Sequence, residues 1–518
     1  MNIATHSSIK APRHLALLGA VLALSLAGCV NQQKEVAHYR KILHAKPAVA
    51  AVKIPAVLTL SQAMKLANNN NEELAISGEN YLQALIAKDK AFATFMPHVG
   101  IGASDFQMHG FTAPPGFPGG ITNFFQTHYA NVPLASTLNV NVLKDATAIS
   151  SARLVSGQQK AAMLNLQSSL LLEVAQTYYQ VLSDARSVAV LKQTLKVQQA
   201  RVTMVTHEFK AGVALRLTVL QSQSDQANTR VQLTTALNNV VRGRATLAYL
   251  IGAANLNHAR LLNDFNPQIH LPALAQLQKI AWSQRQDLKA AKDKVAAQEK
   301  NVQAVYEQYF PSLAINFDTF LYKGQFPTDS WWSGLFSVNM PLFEGGEIYA
   351  DLRTAYSQYR QAILAAHQLR RHIGEEVTIA RADWLSSLQL EKDLQIEVAA
   401  ARAAYHQAQH SFKAGLATNL DVITAQDQEL SAQLAYQKSR FQTRINLLNL
   451  FRVSGRLTYP AMVKLRQVEH HTDFPARTGK KSLAANFPPA LPRAHAAPLA
   501  GARAQASVAV EIRPSLKK

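Results

Sequence analysis

The 518-residue chain holds a single cysteine, Cys29, so it can form no internal disulfide and no zinc site built on cysteine. Proline is missing from two long stretches: none falls between Pro133 and Pro267, and none between Pro341 and Pro460. An interior proline costs a helix about 3 kcal/mol, and both stretches are rich in Ala, Leu, Gln, Lys and Arg. They predict long helices where length alone would suggest three or so globular domains. Acidic residues are also scarce, and 53 Lys/Arg against 33 Asp/Glu leave a formal charge of +20. Basic excess attracts phosphate, but its distribution argues otherwise. After Pro460 ten Lys/Arg face three Asp/Glu, and no compact basic patch with interleaved aromatics occurs elsewhere. No nucleic-acid partner is expected. HExxH, a Gly-rich phosphate loop and GxSxG are all absent, and His470-His471 sits in a polar tail. The chain is read as a non-enzyme with no catalytic residue, cofactor or metal.

The N-terminus carries its own signal. Lys10 and Arg13 precede an apolar stretch, Leu15 to Leu26, that is too short to span a bilayer and has the layout of a secretory signal. It runs into Leu26-Ala27-Gly28-Cys29, which resembles the bacterial lipobox. That resemblance implies removal of residues 1–28 and lipidation of Cys29, with several acyl chains giving firm anchoring. Val30 follows, so no Asp marks inner-membrane retention. Residues 29–57 are read as a lipidated linker. Residues 460–518, with Pro488-Pro489-Ala490-Leu491-Pro492, are read as a basic, disordered tail.

Between these ends the chain repeats itself. His207-Glu208-Phe209-Lys210-Ala211-Gly212-Val213 returns as His410-Ser411-Phe412-Lys413-Ala414-Gly415-Leu416. Phe95-Met96-Pro97 and Phe310-Pro311 each close a helical segment and open a strand-like one, and Asn139 and Arg153 are matched by Asn339 and Arg353. The two repeats are placed at 58–255 and 256–459. Each opens with a helix, about Leu60 to Phe95 and Leu274 to Tyr309. A strand follows, clearest where Leu313, Ile315, Phe317, Thr319 and Leu321 alternate with Ala314, Asn316, Asp318 and Phe320. Aromatic, Gly/Pro-containing loops come next, Gln107 to Asn131 and Lys323 to Trp332, and then second strands near Thr137–Leu143 and Leu335–Leu342. Long helices complete each repeat, about Ala146–Lys210 and Tyr349–Lys413. Their apolar spacing alternates three and four: Leu171, Val174, Tyr178, Val181, Ala185, Val188, and Leu394, Val398, Ala401, Tyr405, Ala408, Phe412. That is a coiled-coil seam. After each Ala-Gly pair a helix returns, Thr218 to Leu250 and Asn419 to Phe451.

Four strands cannot close a barrel, and an open edge in lipid leaves backbone groups unsatisfied at several kcal/mol each. Closure therefore needs several chains.

These features together resemble the TolC/OprM outer-membrane efflux family, in particular its lipidated, NodT-type branch. The likeness covers about Leu58 to Gly455. It rests on Leu58-Thr59-Leu60 with Ala67-Asn68-Asn69-Asn70-Asn71-Glu72-Glu73-Leu74, and on Arg285-Gln286-Asp287-Leu288. It also rests on Met340-Pro341-Leu342-Phe343-Glu344-Gly345-Gly346 and on both Phe-Lys-Ala-Gly turns. The resemblance implies a mostly α fold with a membrane β-barrel portion: a homotrimer with twelve strands above an α-helical periplasmic barrel, set in outer-membrane lipid. It implies an exit duct in a tripartite efflux system, joined to a periplasmic adaptor (a membrane fusion protein) and an inner-membrane pump of RND type, and passing drugs or toxic small molecules. The adaptor would engage Lys210, Ala211, Gly212, Val213 and Lys413, Ala414, Gly415, Leu416. The gate would lie just beyond the second turn, at Asp421, Thr424 and Asp427. Relatives often carry Asp where Thr424 stands and Arg where Asp427 stands, so this chain departs from the usual ion-pair lock. Type I protein secretion is the near alternative. A lipid-anchored periplasmic coiled-coil scaffold, or an adaptor, is the alternative from another class, and neither accounts for four strands and two hairpins.

Overall fold

The computed structural model describes residues 31–46, 54–107, 128–263, 271–324 and 331–459. Cys29 and the signal, the tail 460–518 and most of both inter-strand loops lie outside the described residues.

Each half begins with a helix that stops and restarts. In the first half α2 (Leu60–Asn70) gives way to α3 (Glu72–Ala93), and in the second α6 (Leu274–Gln284) gives way to α7 (Gln286–Tyr306). The sequence predicts one continuous helix in each place. The breaks fall at Asn71 (ψ 125) and Arg285 (ψ 127), both in extended backbone. Asn71 is already committed: its side-chain oxygen caps α3 at Leu74 N–H (3.0 Å), and its amide donates to Leu250 O (3.3 Å). Asn favours such caps over helix interiors, but its second partner, Leu250 O, lies 179 residues away, beyond the reach of a propensity reading. A Thr59–Gln62 capping box starts α2.

The stretch expected to be a plain linker contains a helix, α1 (Gln32–Ile42). Tyr39 of α1 is buried against α3, donates to Glu79 (2.9 Å), and lies so close that a Cβ on Gly78 would sit 2.4 Å from its ring. The chain then forms β1 (Val57–Leu58) before α2.

The strands follow the first helices. In the first half β2 (His98–Ile101) and β3 (Ser104–Gln107) both pair antiparallel with β4 (His128–Val140), as one strand interrupted at Gly102-Ala103. In the second half β6 (Ser312–Gly324) pairs with β7 (Trp332–Asn339), and β4 joins β6. Here β5 is the short strand Arg260–Leu261, which pairs in parallel with β1. The register separates the sheet into two chemistries. Val99 and Ile101, Leu134, Leu138 and Val140, Leu313, Ile315 and Phe317, and Phe336 and Val338 share one face. Thr137, Asn139, Asn316, Asp318, Ser333, Ser337 and Asn339 lie on the other. All of β7 is exposed, and β2/β3 and β7 are the two edges of the sheet among the described residues.

The long helices are α4 (Val142–Lys210) and α5 (Arg216–Leu250), then α8 (Glu347–Lys413) and α9 (Asn419–Val453). At 1.5 Å per residue the longer member of each pair reaches about 100 Å. α4 packs along α5 and α8 along α9, with α9 also lying against α4. Gly243 permits the close approach of α5 to α4, since a Cβ there would lie 2.7 Å from Val181. Of the expected first seam Leu171, Val174, Tyr178 and Val181 are fully buried, whereas Ala185 is exposed and Val188 half-buried. Of the second, only Tyr405 is buried within one chain. The others, Leu394, Val398, Ala401, Ala408 and Phe412, are half-buried, so within one chain the seam read from spacing is only partly filled.

The main core lies where the short helices cross the long ones, around Met64, Leu171, Tyr178, Tyr179, Leu247 and Leu448. Tyr178 fastens the two halves there. Its hydroxyl contacts Leu58 O (2.8 Å) and Leu262 O (2.6 Å) and accepts from Leu262 N–H (3.0 Å), bracketing the β1–β5 pair. Tyr178→Phe should cost about 1 kcal/mol, because Leu262 O loses its donor while Leu262 N–H and Leu58 O keep each other (3.1 Å). Denaturant unfolding would read the loss, and an unchanged midpoint would contradict the assignment.

Candidate functional site

Both hairpins end in the same turn for the same reason. Gly212 (φ 78) and Gly415 (φ 72) take the left-handed conformation that lets the chain leave a helix without steric cost. Val213 N–H reaches Glu208 O (2.9 Å) and Leu416 N–H reaches Ser411 O (2.8 Å), the long closing bond of a Schellman turn in each case. A Cβ at either glycine would meet nothing within 4 Å. The apices are apolar and open: Val213 is 77% and Leu416 83% exposed, with Leu215, Leu217 and Leu420 exposed beside them. Exposed aliphatic side chains at a tip with accessible backbone form a surface that a partner hairpin can approach closely.

The three gate residues expected from sequence occupy different settings. Asp421 is spent on a capping box: its carboxylate accepts from Thr418 N–H and Oγ1–H, each at 2.7 Å, and Thr418 Oγ1 accepts from Asp421 N–H at 3.2 Å. These hydrogen bonds hold the exposed Asp421 carboxyl below the usual carboxylate range. Thr424 is exposed and its hydroxyl donates back to Leu420 O (2.9 Å). Asp427 alone turns inward, half-buried between the hairpins.

There it meets residues that the sequence reading did not single out. Asp225 of α5 is buried near Asp427, and its Oδ2 accepts from Gln198 Nε2 of α4 (2.8 Å). Burial, and then the Asp427 charge, push the Asp225 carboxyl up to about 6. Burial likewise raises Asp427, with Asp225 and the Arg201 charge working against it. Arg201 of α4, also buried, donates through Nη2 to Tyr405 Oη of α8 (3.1 Å) and stacks on that ring at 5.9 Å. Nearer the tip, Asn419 Nδ2 contacts Ser222 Oγ (3.2 Å). A polar plug thus joins all four long helices just above the turns. Its signal in the sequence is the set of polar residues at three-and-four spacing where the seam should be apolar: Gln198 and Arg201 on α4, then Ser222, Asp225 or Gln226, and Thr229 on α5. No cluster of three or more His, Cys, Asp or Glu suited to a metal occurs among the described residues.

Comparison with known proteins agrees with this architecture. The family described as outer membrane efflux protein matches residues 137–253 and 277–456. The probable efflux pump outer membrane protein TtgC of Pseudomonas putida is 25% identical over 310 residues, covering 57% of this chain and 62% of that protein. The cation efflux system protein CusC of Escherichia coli is 22% identical over 300 residues, 55% of this chain and 64% of that one. The chain therefore matches somewhat less than two thirds of the length of these relatives. The outer membrane channel CmeC of Campylobacter jejuni superposes with a TM-score of 0.69 at 16% identity, covering 79% of this chain and 89% of that one, a likeness of fold.

Proposed function

We propose, from the premise that this chain belongs to the outer membrane efflux protein family, that it is the exit duct of a tripartite efflux system. The observation that carries this reading is the four-stranded sheet. One face is largely apolar and the other mostly polar, with Leu335 beside Asn316 the exception, and among the described residues both edges are open above two hairpins about 100 Å long. In lipid such a sheet must be completed by neighbours. Three copies would supply twelve strands, apolar face outward and polar face around the bore, with the hairpins continuing the tube into the periplasm. Lipid on Cys29 would anchor the chain in the outer membrane. The exposed Val213 and Leu416 apices would seat a periplasmic adaptor, which in turn would join an inner-membrane pump of RND type. TtgC and CusC are both named for efflux, which supports small toxic solutes as cargo in preference to secreted protein. Asp421 and Thr424, exposed just above the second turn, would face the constriction.

The test replaces Val213 and Leu416 in turn by a photo-reactive amino acid in living cells. We expect capture of an adaptor from both positions, and a native mass of three chains in detergent. Leu416→Asp should reduce capture at least tenfold, since a charge cannot be buried in an apolar contact without several kcal/mol of penalty. A monomer that captures no adaptor would overturn the reading.

A further inference from the structure

We propose that the cavity bounded by the end of α1, the end of α9 and the α6–α7 junction is a binding site for a small organic oxyanion, one that carries a phosphate or a carboxylate. The site lies roughly 75 Å along α4 from its turn, at 1.5 Å per residue, and the inference stands whatever the duct carries.

The cavity has a volume of about 370 Å³, at the small end of sites for organic ligands. Five segments close around it: the end of α1, a stretch of α4, the α6–α7 junction, the end of α9 and the residues that follow α9. A close contact fixes one side. Gly455 (φ 74) ends α9, and a Cβ there would lie 3.0 Å from Arg285 N and from Gln284 C, so α9 sits directly on the junction. Ile42, Leu164 and Leu457 make part of the wall apolar, while Asn165, Ser168 and Thr458 add neutral hydrogen-bonding groups.

The charge around the cavity is of one sign. Lys160, Arg285 and Arg452 line it, together with His44, and no carboxylate does. The Arg285 side chain is buried, and four of its five N–H groups are taken, three by Asp287 and Glu376 and one by Val453 O. One N–H on Nη2 is left over. Arg452 is held loosely, with Glu376 at 3.8 Å and Ser169 at 3.5 Å. Lys160 is half-buried and makes no hydrogen bond or ion pair among the described residues, although Asp293 lies against Gly157 one turn away. His44 (φ 53) is the only non-glycine residue in the left-handed region among the described residues. It holds the position after the Leu43 cap of α1 that usually goes to glycine, and there it brings an imidazole to the cavity.

Partly desolvated cations that face one space are stabilised by an anion placed in it, and N–H···O⁻ bonds are the strong kind. An inorganic ion would answer the charges but leave Ile42, Leu164 and Leu457 against water. A phosphate or carboxylate on a short carbon skeleton meets both. The chain's own tail has the wrong sign for the site, with ten Lys/Arg against three Asp/Glu after Pro460. A bound anion would tie α4 to α9 and to the α6–α7 junction, and would stabilise the fold by mass action.

The experiment titrates the full-length assembly in detergent, in about 0.15 M chloride, with inorganic phosphate, butyl phosphate and butyrate, read by calorimetry. We expect saturable binding at one site per chain, with butyl phosphate ahead of inorganic phosphate; the tighter of the two butyl compounds identifies the headgroup. Lys160→Met should weaken that binding at least tenfold, through loss of one charge-assisted hydrogen bond, and Lys160→Arg should restore most of it. Lys160 has no partner to lose, so its substitution removes no contact of the fold. Arg153→Met, on an exposed position about two turns away on α4, should leave binding unchanged. An equal fall in Lys160→Met and Arg153→Met would mean attraction to a basic protein at large and would overturn the proposal, as would no saturable binding of any of the three probes. Inorganic phosphate binding as tightly as butyl phosphate would overturn the organic assignment. Butyl phosphate should also slow hydrogen exchange at residues 284–286 and 455–458 in the wild type and not in Lys160→Met. Unchanged exchange there in the wild type would remove the site from this cavity.

Discussion

Replacing Arg285 by Met should cost about 3–5 kcal/mol, the usual consequence of removing one partner from a buried ion pair. Arg285 stands at the break between α6 and α7, with its side chain 6% exposed. It holds Asp287 by two hydrogen bonds (3.0 and 2.6 Å), pairs with Glu376 of α8, and reaches Val453 O at the end of α9 (3.4 Å). One guanidinium thus ties three helices together in a planar fork that Lys cannot reproduce. Arg285→Lys should therefore recover only part of the loss. Glu376 retains Arg452 at 3.8 Å, so the group that loses most is Asp287, left with the Leu288 N–H (2.8 Å). Burial works to raise the Asp287 carboxyl, but the hydrogen bonds and charge of Arg285 outweigh it and hold the group below its ordinary value. A depressed carboxyl contributes stability that is present above its ordinary value of 3.8 and is lost as pH falls through the folded one. The gap between wild type and Arg285→Met should narrow accordingly in strong acid. Native-state hydrogen exchange of the α6–α7 junction is the appropriate reading, since it reports local opening in a large assembly. Equal protection in the two proteins near neutral pH would show that the network adds nothing to the junction.

Phe336→Arg is expected to destabilise the membrane-inserted protein by about 2–4 kcal/mol, the cost of a charge on the lipid face of a barrel near the bilayer midplane. Phe336 lies opposite Ile315 on the apolar face of β7 and β6, while the next residue, Ser337, lies opposite Ala314 on the other. Ser337→Arg should accordingly be tolerated, because a polar bore accepts a charge. The pair of variants differs by one position in the chain and reverses the side of the sheet. Denaturant unfolding from lipid vesicles measures both. Identical midpoints would mean that the two faces meet the same surroundings and that the sheet does not line a membrane barrel.

The repeat was open to inspection because each of its signals is local. The Lys-Ala-Gly turns are legible since a left-handed helix end demands glycine wherever it occurs, and Gly212 and Gly415 both adopt it. Helix ends at Lys210 and Lys413 coincide with those expected, and the alternation from Leu313 to Thr319 is the strand's own pleat. The interruptions at Asn71 and Arg285 were not legible, because their partners, Leu250 O and Glu376, lie far along the chain. The gate residues were legible only as a neighbourhood. Spacing placed Asp421, Thr424 and Asp427 on one helix, yet one caps that helix, one bonds back to it, and one meets the other hairpin.

Periodicity, proline-free length and two glycines therefore determined the two long hairpins and the strand pair that precedes each of them, since each depends on backbone preferences within a few residues. Tertiary structure decided which polar residues share a buried space: Asn419 meets Ser222, and Arg201 meets Tyr405, about two hundred residues apart. Neither pairing has any local energy to announce it. The electrostatics of such a contact exist only once two separate helices are packed and water has been excluded between them.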